Sequence, residues 1–350
     1  MSVPNCLPRS IAVAIASVGL IAGLAAPALA ADQSLPPFLT KGAPVPDVEY
    51  YQPQPVSAWQ ADFGARYWFG VANTGKSLYG VPNMSDAMVS RLTYSDLITN
   101  SGELFGRIAG TNGLFFKGYV GLGAISGGKL QDEDFPTATF SPYSSTNSDQ
   151  KYGWQGYGAL DIGYDVVRGG DFNLGLFAGY FIFKQSVNAF GCTQTATNPS
   201  VCQPAVPSGV EGISQTNTYQ SPRVGVDGAV TFARRFTLSA DAAWLPYVRL
   251  NGADSHWLRI ADGEFAGPIP EDGTGRGYQL EATLSYAVTP NISIGLGGRY
   301  WHLETSGNSH LENVVVDGGP QPVDWKSDIY GVFLQGSYKF GPYPYGSTLF

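Results

Sequence analysis

Two short acidic motifs carry the residue types in this chain that could do chemistry. Asp132, Glu133 and Asp134 are consecutive, and Asp254 lies two residues before His256. In extended backbone, residues two apart point to the same face, so each motif presents two polar groups together. Two close carboxylates resist simultaneous ionisation, and an Asp beside a His fixes its tautomer and favours its protonated form. Brought together, the two motifs could hold a water and a peptide carbonyl for acid–base hydrolysis.

On spacing alone, the simpler alternative is that both motifs are solvated loop residues. External loops are rich in acids, and an Asp-x-His triplet often arises by chance. The chain has three histidines. His302 follows a strand end and is interpreted as an interfacial side chain, whereas His310 lies in a polar segment without a patterned partner.

The segments that must position these motifs alternate between apolar and polar residues with a period of two. Between Tyr278 and Val288, Leu280 and Leu284 share one face with both end residues, while Glu281 lies on the other face. This pattern is typical of strands with one apolar and one polar surface. Ten such segments are predicted, near 57–72, 86–110, 114–127, 152–167, 171–189, 215–233, 236–250, 275–288, 292–304 and 326–340. They predict an all-β fold, a transmembrane antiparallel up-and-down β-barrel of about ten strands.

The connections between these segments alternate in length. Short ones are predicted at 111–113, 168–170, 234–235 and 289–291, and long ones near 73–85, 128–151, 190–214, 251–274 and 305–325. Short periplasmic turns and long external loops are the pattern of outer-membrane barrels. Both acidic motifs then lie at the extracellular rim. They follow the third and seventh segments, so we expect them on nearly opposite walls.

The composition and the N-terminus agree with export to a membrane. An apolar run from Ile11 to Leu24 precedes Ala28-Leu29-Ala30, which predicts a signal peptide over 1–30. A Pro-rich periplasmic leader is predicted over 31–55, the barrel over 56–340 and a tail over 341–350. Only 14% of residues are charged, against about 25% in soluble domains. The net charge of −8 argues against nucleic acid as a partner.

Two further features concern the loops and the barrel interior. Cys192 and Cys202 are predicted to form a disulfide that closes a loop, because an even pair in an exported protein favours one. Charged residues on the polar faces are predicted to point inward and to fill the lumen with ion pairs: Lys117, Asp161, Asp165, Arg223, Asp227, Asp241, Glu281 and Arg299.

Several stretches together resemble the omptins, a family of outer-membrane aspartyl-type endopeptidases. The glycine-rich stretch 121–135 leads into an Asp-x-Asp and an aromatic residue, and 251–256 contains an Asp-x-His. The stretches 90–94, 173–180 and 289–291 resemble other parts of that barrel, so that the resemblance runs from about 60 to 340.

The resemblance implies a function and a set of site residues. Asp132 and Asp134 would be the catalytic carboxylate couple, and Asp254 and His256 the dyad that activates water. It implies peptide hydrolysis at the cell surface without a metal, a cofactor or a covalent intermediate. The partners it implies are a peptide or protein substrate, outer-membrane lipid and lipopolysaccharide, the last with a role in activity.

The chain departs from the family pattern at the pockets. Gly252 and Lys76 stand where members that cut between basic residues carry acids. Tyr180 and Lys184 match part of the lipopolysaccharide cluster, but Ile182 and Thr218 do not. Two other functions therefore stay open, a non-enzymatic adhesin or structural barrel and a narrow channel.

Overall fold

The computed structural model describes residues 58–80, 87–136, 141–198, 200–316 and 318–341. The predicted signal peptide, the Pro-rich leader and all of the predicted tail except Gly341 lie outside these residues. Eleven strands fill most of the described chain: β1 Trp59–Tyr79, β2 Met88–Gly110, β3 Leu114–Asp134, β4 Ser144–Gln150, β5 Gly153–Arg168, β6 Phe172–Gln194, β7 Val206–Phe232, β8 Phe236–His256, β9 Ile269–Ala287, β10 Ile292–His310 and β11 Pro320–Phe340. A short helix, α1 Trp257–Ala261, follows β8. Among the described residues, no helix is long and apolar enough to span a membrane.

The strands form one antiparallel sheet that closes on itself. β11 pairs with β1 over most of its length, for example Val332 with Phe69. The short strand β4 and the strand β5 occupy the same position in the ring, since both lie between β3 and β6. The ring therefore has ten positions, which confirms the predicted barrel of about ten strands.

Alternating side chains give the barrel an apolar outer surface and a charged interior. Val120, Leu122 and Leu160 point outward and are each more than 60% exposed. Arg299 points inward, where it forms ion pairs with Glu103 and Glu281 at 2.6 Å each. All the charged residues predicted to face the lumen do so, and Arg66, Glu103 and Arg107 join them. An apolar outer belt around paired charges is the surface of a protein that spans a bilayer.

An aromatic layer closes the lumen above these charges. It consists of Trp68, Tyr119, Tyr157, Phe181 and Trp301. The Trp301 ring lies between the other four, with its centroid 5.1 Å from that of Trp68 and 5.2 Å from those of Tyr157 and Phe181. Edge-to-face contacts at such distances stabilise a packed core. The layer separates the charged half of the lumen from the barrel end with the long connections.

The predicted short turns lie at one end of the barrel, but the predicted long loops were wrong in extent. Most of 128–134, 190–194, 206–214, 251–256 and 269–274 belongs to strands that continue beyond the apolar belt. Most residues there are polar or glycine, so no regular apolar alternation marks these stretches as strands. Backbone pairing extends them instead, as between Ser90 and Asp134 in β2 and β3.

The predicted disulfide is present. Cys192 at the end of β6 is bonded to Cys202 in the β6–β7 connection, with the two Cα atoms 5.7 Å apart. That distance is ordinary for a disulfide. The bond ties this connection to the last residues of β6.

Candidate functional site

The four residues singled out from the sequence lie on the inner wall at the long-connection end of the barrel. Asp132 and Asp134 are among the last residues of β3, and Asp254 and His256 among the last of β8. They are therefore strand residues, which corrects their expected place in loops just past the strands. In the ring, β3 and β8 are four positions apart. The intervening Glu133 points to the outer face, where it pairs with Arg91 at 2.7 Å.

The two inward-facing carboxylates of β3, Asp132 and Asp134, both have pKa values above the ordinary value. Burial, together with the charge of Asp134, raises the pKa of Asp132 to about 6, although His256 pulls it down. Burial also raises the pKa of Asp134, against a hydrogen bond with Ser90. Both groups lie beyond the apolar belt. With a pKa of about 6, Asp132 is mostly ionised at pH 7 and gains a proton as the pH falls through that value.

The groups of β8 form the opposite half of the site. His256 Nε2 lies 3.3 Å from Asp254 Oδ2. Burial lowers the pKa of His256, but the charges of Asp254 and Asp132 outweigh it and raise the pKa above its ordinary value. The charge of His256 acts in turn on both Asp132 and Asp134. The two halves therefore share one electrostatic environment across the mouth.

Beneath His256 lies a buried charge network that the sequence reading missed. Lys76 of β1 is fully buried and donates to Asp254 Oδ2 at 2.6 Å. It also forms an ion pair with Glu271 of β9, whose other oxygen accepts from Gln215 of β7 at 2.9 Å. The inward direction of Lys76 could be predicted from the sequence, because Lys76 continues the inward alternation of Trp68, Ala72 and Thr74. Glu271 lies near the end of 251–274, which the sequence predicts to be a long loop.

The acids around Lys76 differ in acid strength. Burial would raise the pKa of Asp254, but Lys76 and His256 outweigh it and hold the pKa well below its ordinary value. Burial raises the pKa of Glu271, and the charge of Asp254 adds to that effect, so the pull of Lys76 does not compensate. Of these two acids, Asp254 therefore stays ionised to the lower pH.

The segment after β8 covers one side of the site. The Phe265 ring lies edge-on to the His256 ring at 5.9 Å. Arg259 of α1 lies over the Phe265 ring, 5.3 Å from its centroid, and its charge lowers the pKa of Asp132 and Asp134. The short helix thus adds a half-exposed cation beside the carboxylates.

The remaining residues named from the sequence lie elsewhere. His302 pairs with Asp328 at 2.8 Å on the outer face, and His310 with Asp272 at 2.8 Å. Tyr180 and Lys184 also face outward on β6, with Lys184 over the Trp154 ring. Among the described residues, no group of three or more His, Cys, Asp or Glu could hold a metal ion.

Solved structures share this architecture at low sequence identity. The outer membrane protease OmpT from Escherichia coli is 16% identical, with a TM-score of 0.65, and the match covers 81% of this chain and 98% of that one. Ail from Yersinia pestis, 9% identical over 80% of this chain and 98% of its own, and OprG from Pseudomonas aeruginosa, 10% identical over 80% and 97%, have TM-scores of only 0.25 and 0.32. No protein-family model and no curated protein matches the chain. The chain therefore has the fold of an outer-membrane barrel.

Proposed function

We propose that this chain is an outer-membrane endopeptidase that hydrolyses peptide bonds at the cell surface. The observation that carries the proposal is the pairing of two motifs that are far apart in sequence. Asp132 and Asp134 face the same barrel mouth as Asp254 and His256, and the charges of the two halves act on each other. OmpT, the barrel of similar fold, is a protease, which agrees with the proposal.

The proposed reaction needs only a water and these side chains. With Nε2–H donated to Asp254, His256 keeps a lone pair on Nδ1 and takes a proton from the water. The ionised Asp132–Asp134 pair accepts a hydrogen bond from the same water and orients it. The water oxygen bonds to the peptide carbonyl carbon, and the carbonyl oxygen takes up the negative charge. When the carbon–nitrogen bond breaks, the imidazolium returns its proton to the leaving amine.

The pocket chemistry argues against a requirement for a basic residue at the cleaved bond. Glu271 is the acid beside the dyad, but Lys76 and Gln215 already bind its two oxygens. Gly252 offers no side chain on the same wall. A substrate Lys or Arg would thus meet a neutralised pocket.

A membrane-stabilising or adhesive barrel is the competing function, and digestion of a diverse peptide library distinguishes the two. We expect residues 31–350, refolded with lipopolysaccharide, to cleave the library. His256→Ala should lower the rate about 10²–10⁴-fold, the typical contribution of a general base. Asp134→Asn should lower it as well, because the neutral amide orients the water less strongly than the carboxylate. His302→Ala is the matched control, because that histidine lies on the outer face.

Three outcomes are decisive. No cleavage by the folded wild-type barrel, with or without lipopolysaccharide, would sink the enzyme proposal. Equal cleavage by wild type and His256→Ala would indicate a contaminant. Equal rates with and without lipopolysaccharide would remove that lipid as a requirement, and the enzyme proposal would stand.

A further inference from the structure

The oxygen Asp254 Oδ2 is shared between two donors. Lys76 Nζ lies 2.6 Å from it and His256 Nε2 lies 3.3 Å from it. Among the described residues, the other oxygen, Asp254 Oδ1, is buried and has no hydrogen-bond partner. The lysine therefore takes the closer place on the oxygen that should orient the imidazole.

We propose that Lys76 is a positioning residue of the candidate site, which holds Asp254 in place and limits how strongly that carboxylate binds the His256 imidazole. The inference rests on the proposed function for its catalytic meaning. Lys76 does not touch the space for substrate, because its side chain is completely buried beneath Asp254. It acts only through the carboxylate.

The burial of the network makes this arrangement electrostatically strong. The side chains of Lys76, Asp254 and Glu271 are each at most 3% exposed. Charges in such a place are poorly screened, so a cation on Asp254 weakens the attraction that the carboxylate exerts on a second cation. The Lys76 charge accordingly lowers the pKa of His256, against the raising effect of Asp254.

The titratable groups around His256 come from several strands. Those that act directly on the imidazole are Asp254 of β8, Lys76 of β1, and Asp132 and Asp134 of β3. Glu271, Tyr94 and Arg259 act on those groups. Of these, Lys76 alone bonds to the oxygen that His256 also contacts.

The chemical consequence is a larger fraction of neutral imidazole at pH 7. Without a competing cation, the Asp254–His256 pair would hold its proton to higher pH, and neutral imidazole would be scarcer at pH 7. With Lys76 in place, more of the imidazole is neutral and able to take a proton from water. Lys76 thus weakens the attraction between Asp254 and the imidazole and raises the fraction of imidazole that is neutral.

The test is a titration of His256 by NMR in the full refolded chain in detergent micelles, which needs no activity. The chain has three histidines, so the His256 signal is identified by its loss in His256→Ala. We expect Lys76→Met to move the His256 midpoint to higher pH and Lys76→Arg to keep it near the wild-type value. Lys129→Met is the control, since Lys129 pairs with Asp149 on the outer face of β3 and should change nothing.

A second variant covers the case in which Lys76→Met does not fold. Lys76→Met with Glu271→Gln removes one charge of each sign and so leaves the net charge of the buried network unchanged. We expect the same upward shift of the His256 midpoint. An unchanged or lower midpoint would overturn the inference, and so would loss of the barrel in the double variant, because the pair would then serve stability alone.

The titration also separates this inference from the proposed function. If the chain is a protease, the acidic limb of its kcat/KM profile should move with the NMR midpoint in Lys76→Met. If the wild type cleaves no peptide but the midpoint moves, the function fails and the electrostatic role of Lys76 stands. If the wild type cleaves and the midpoint does not move, the inference fails alone.

Discussion

In the proposed reaction, His256 must lose a proton before it can take one from water, and its surroundings oppose that loss. Burial lowers its pKa, but Asp254 and Asp132 raise it above the ordinary value of 6.5. We therefore predict that kcat/KM rises with pH and reaches half of its plateau above pH 6.5. A pH–rate profile between pH 5 and 9, at constant ionic strength, checks this.

The stability of the protein should change in the opposite direction. A group whose pKa is higher in the folded than in the unfolded state stabilises the fold fully below the unfolded value. This contribution is lost as the pH rises through the folded value. Raising the pH until His256 is neutral thus lowers the free energy of unfolding. For the rate prediction, an acidic limb of the kcat/KM profile centred below pH 6.5 would contradict the raised pKa of His256.

At the scale of single residues, the sequence predicted the two acidic motifs but not the buried Lys76–Glu271 pair that contacts one of them. The period-two rule was enough to put Asp132 with Asp134 and Asp254 with His256. The Lys76–Glu271 pair depends on how β1, β8 and β9 lie beside and across from one another in the closed ring. No local pattern encodes that, because each of these residues is separated from its partner by more than 170 positions.

The strands show why prediction succeeded in one half of the barrel and failed in the other. Inside the apolar belt, lipid on one side and paired charges on the other impose strict alternation, and the sequence shows it. Beyond the belt, both faces of a strand meet polar surroundings. The extensions of β3, β7, β8 and β9 therefore lack an apolar pattern and were interpreted as loops.

The aromatic layer lies across the lumen, so we expect it to control whether the barrel conducts ions. Trp301 of β10 contacts rings from four other strands of the ring and is buried. We predict that Trp301→Ala opens the lumen and costs about 3–5 kcal/mol of unfolding free energy, as large aromatic truncations in cores do. Ion conductance in planar bilayers and urea unfolding in detergent measure the two effects.

A tryptophan on the outer surface provides the control for the aromatic layer. Trp244 of β8 points away from the lumen and is 55% exposed, so Trp244→Ala should leave conductance unchanged. High conductance of the wild-type barrel would show that the layer is no plug and would favour the channel alternative. Unchanged conductance in Trp301→Ala would mean that the charged residues below seal the lumen by themselves.

For the whole molecule, the outer belt should make the cost of an added charge depend on depth. Val120 lies outward near the middle of the belt on β3, and Ser126 lies outward on the same strand close to its edge. We predict that Val120→Arg costs about 2–4 kcal/mol and Ser126→Arg about 0–1 kcal/mol, because an arginine near the belt edge can reach the headgroups. Urea unfolding in phospholipid vesicles, followed by tryptophan fluorescence, measures both. The two strand positions receive the same new side chain, so the strand preference of the arginine itself cancels in the comparison. Equal costs would contradict a belt whose middle lies near Val120 and whose edge lies near Ser126.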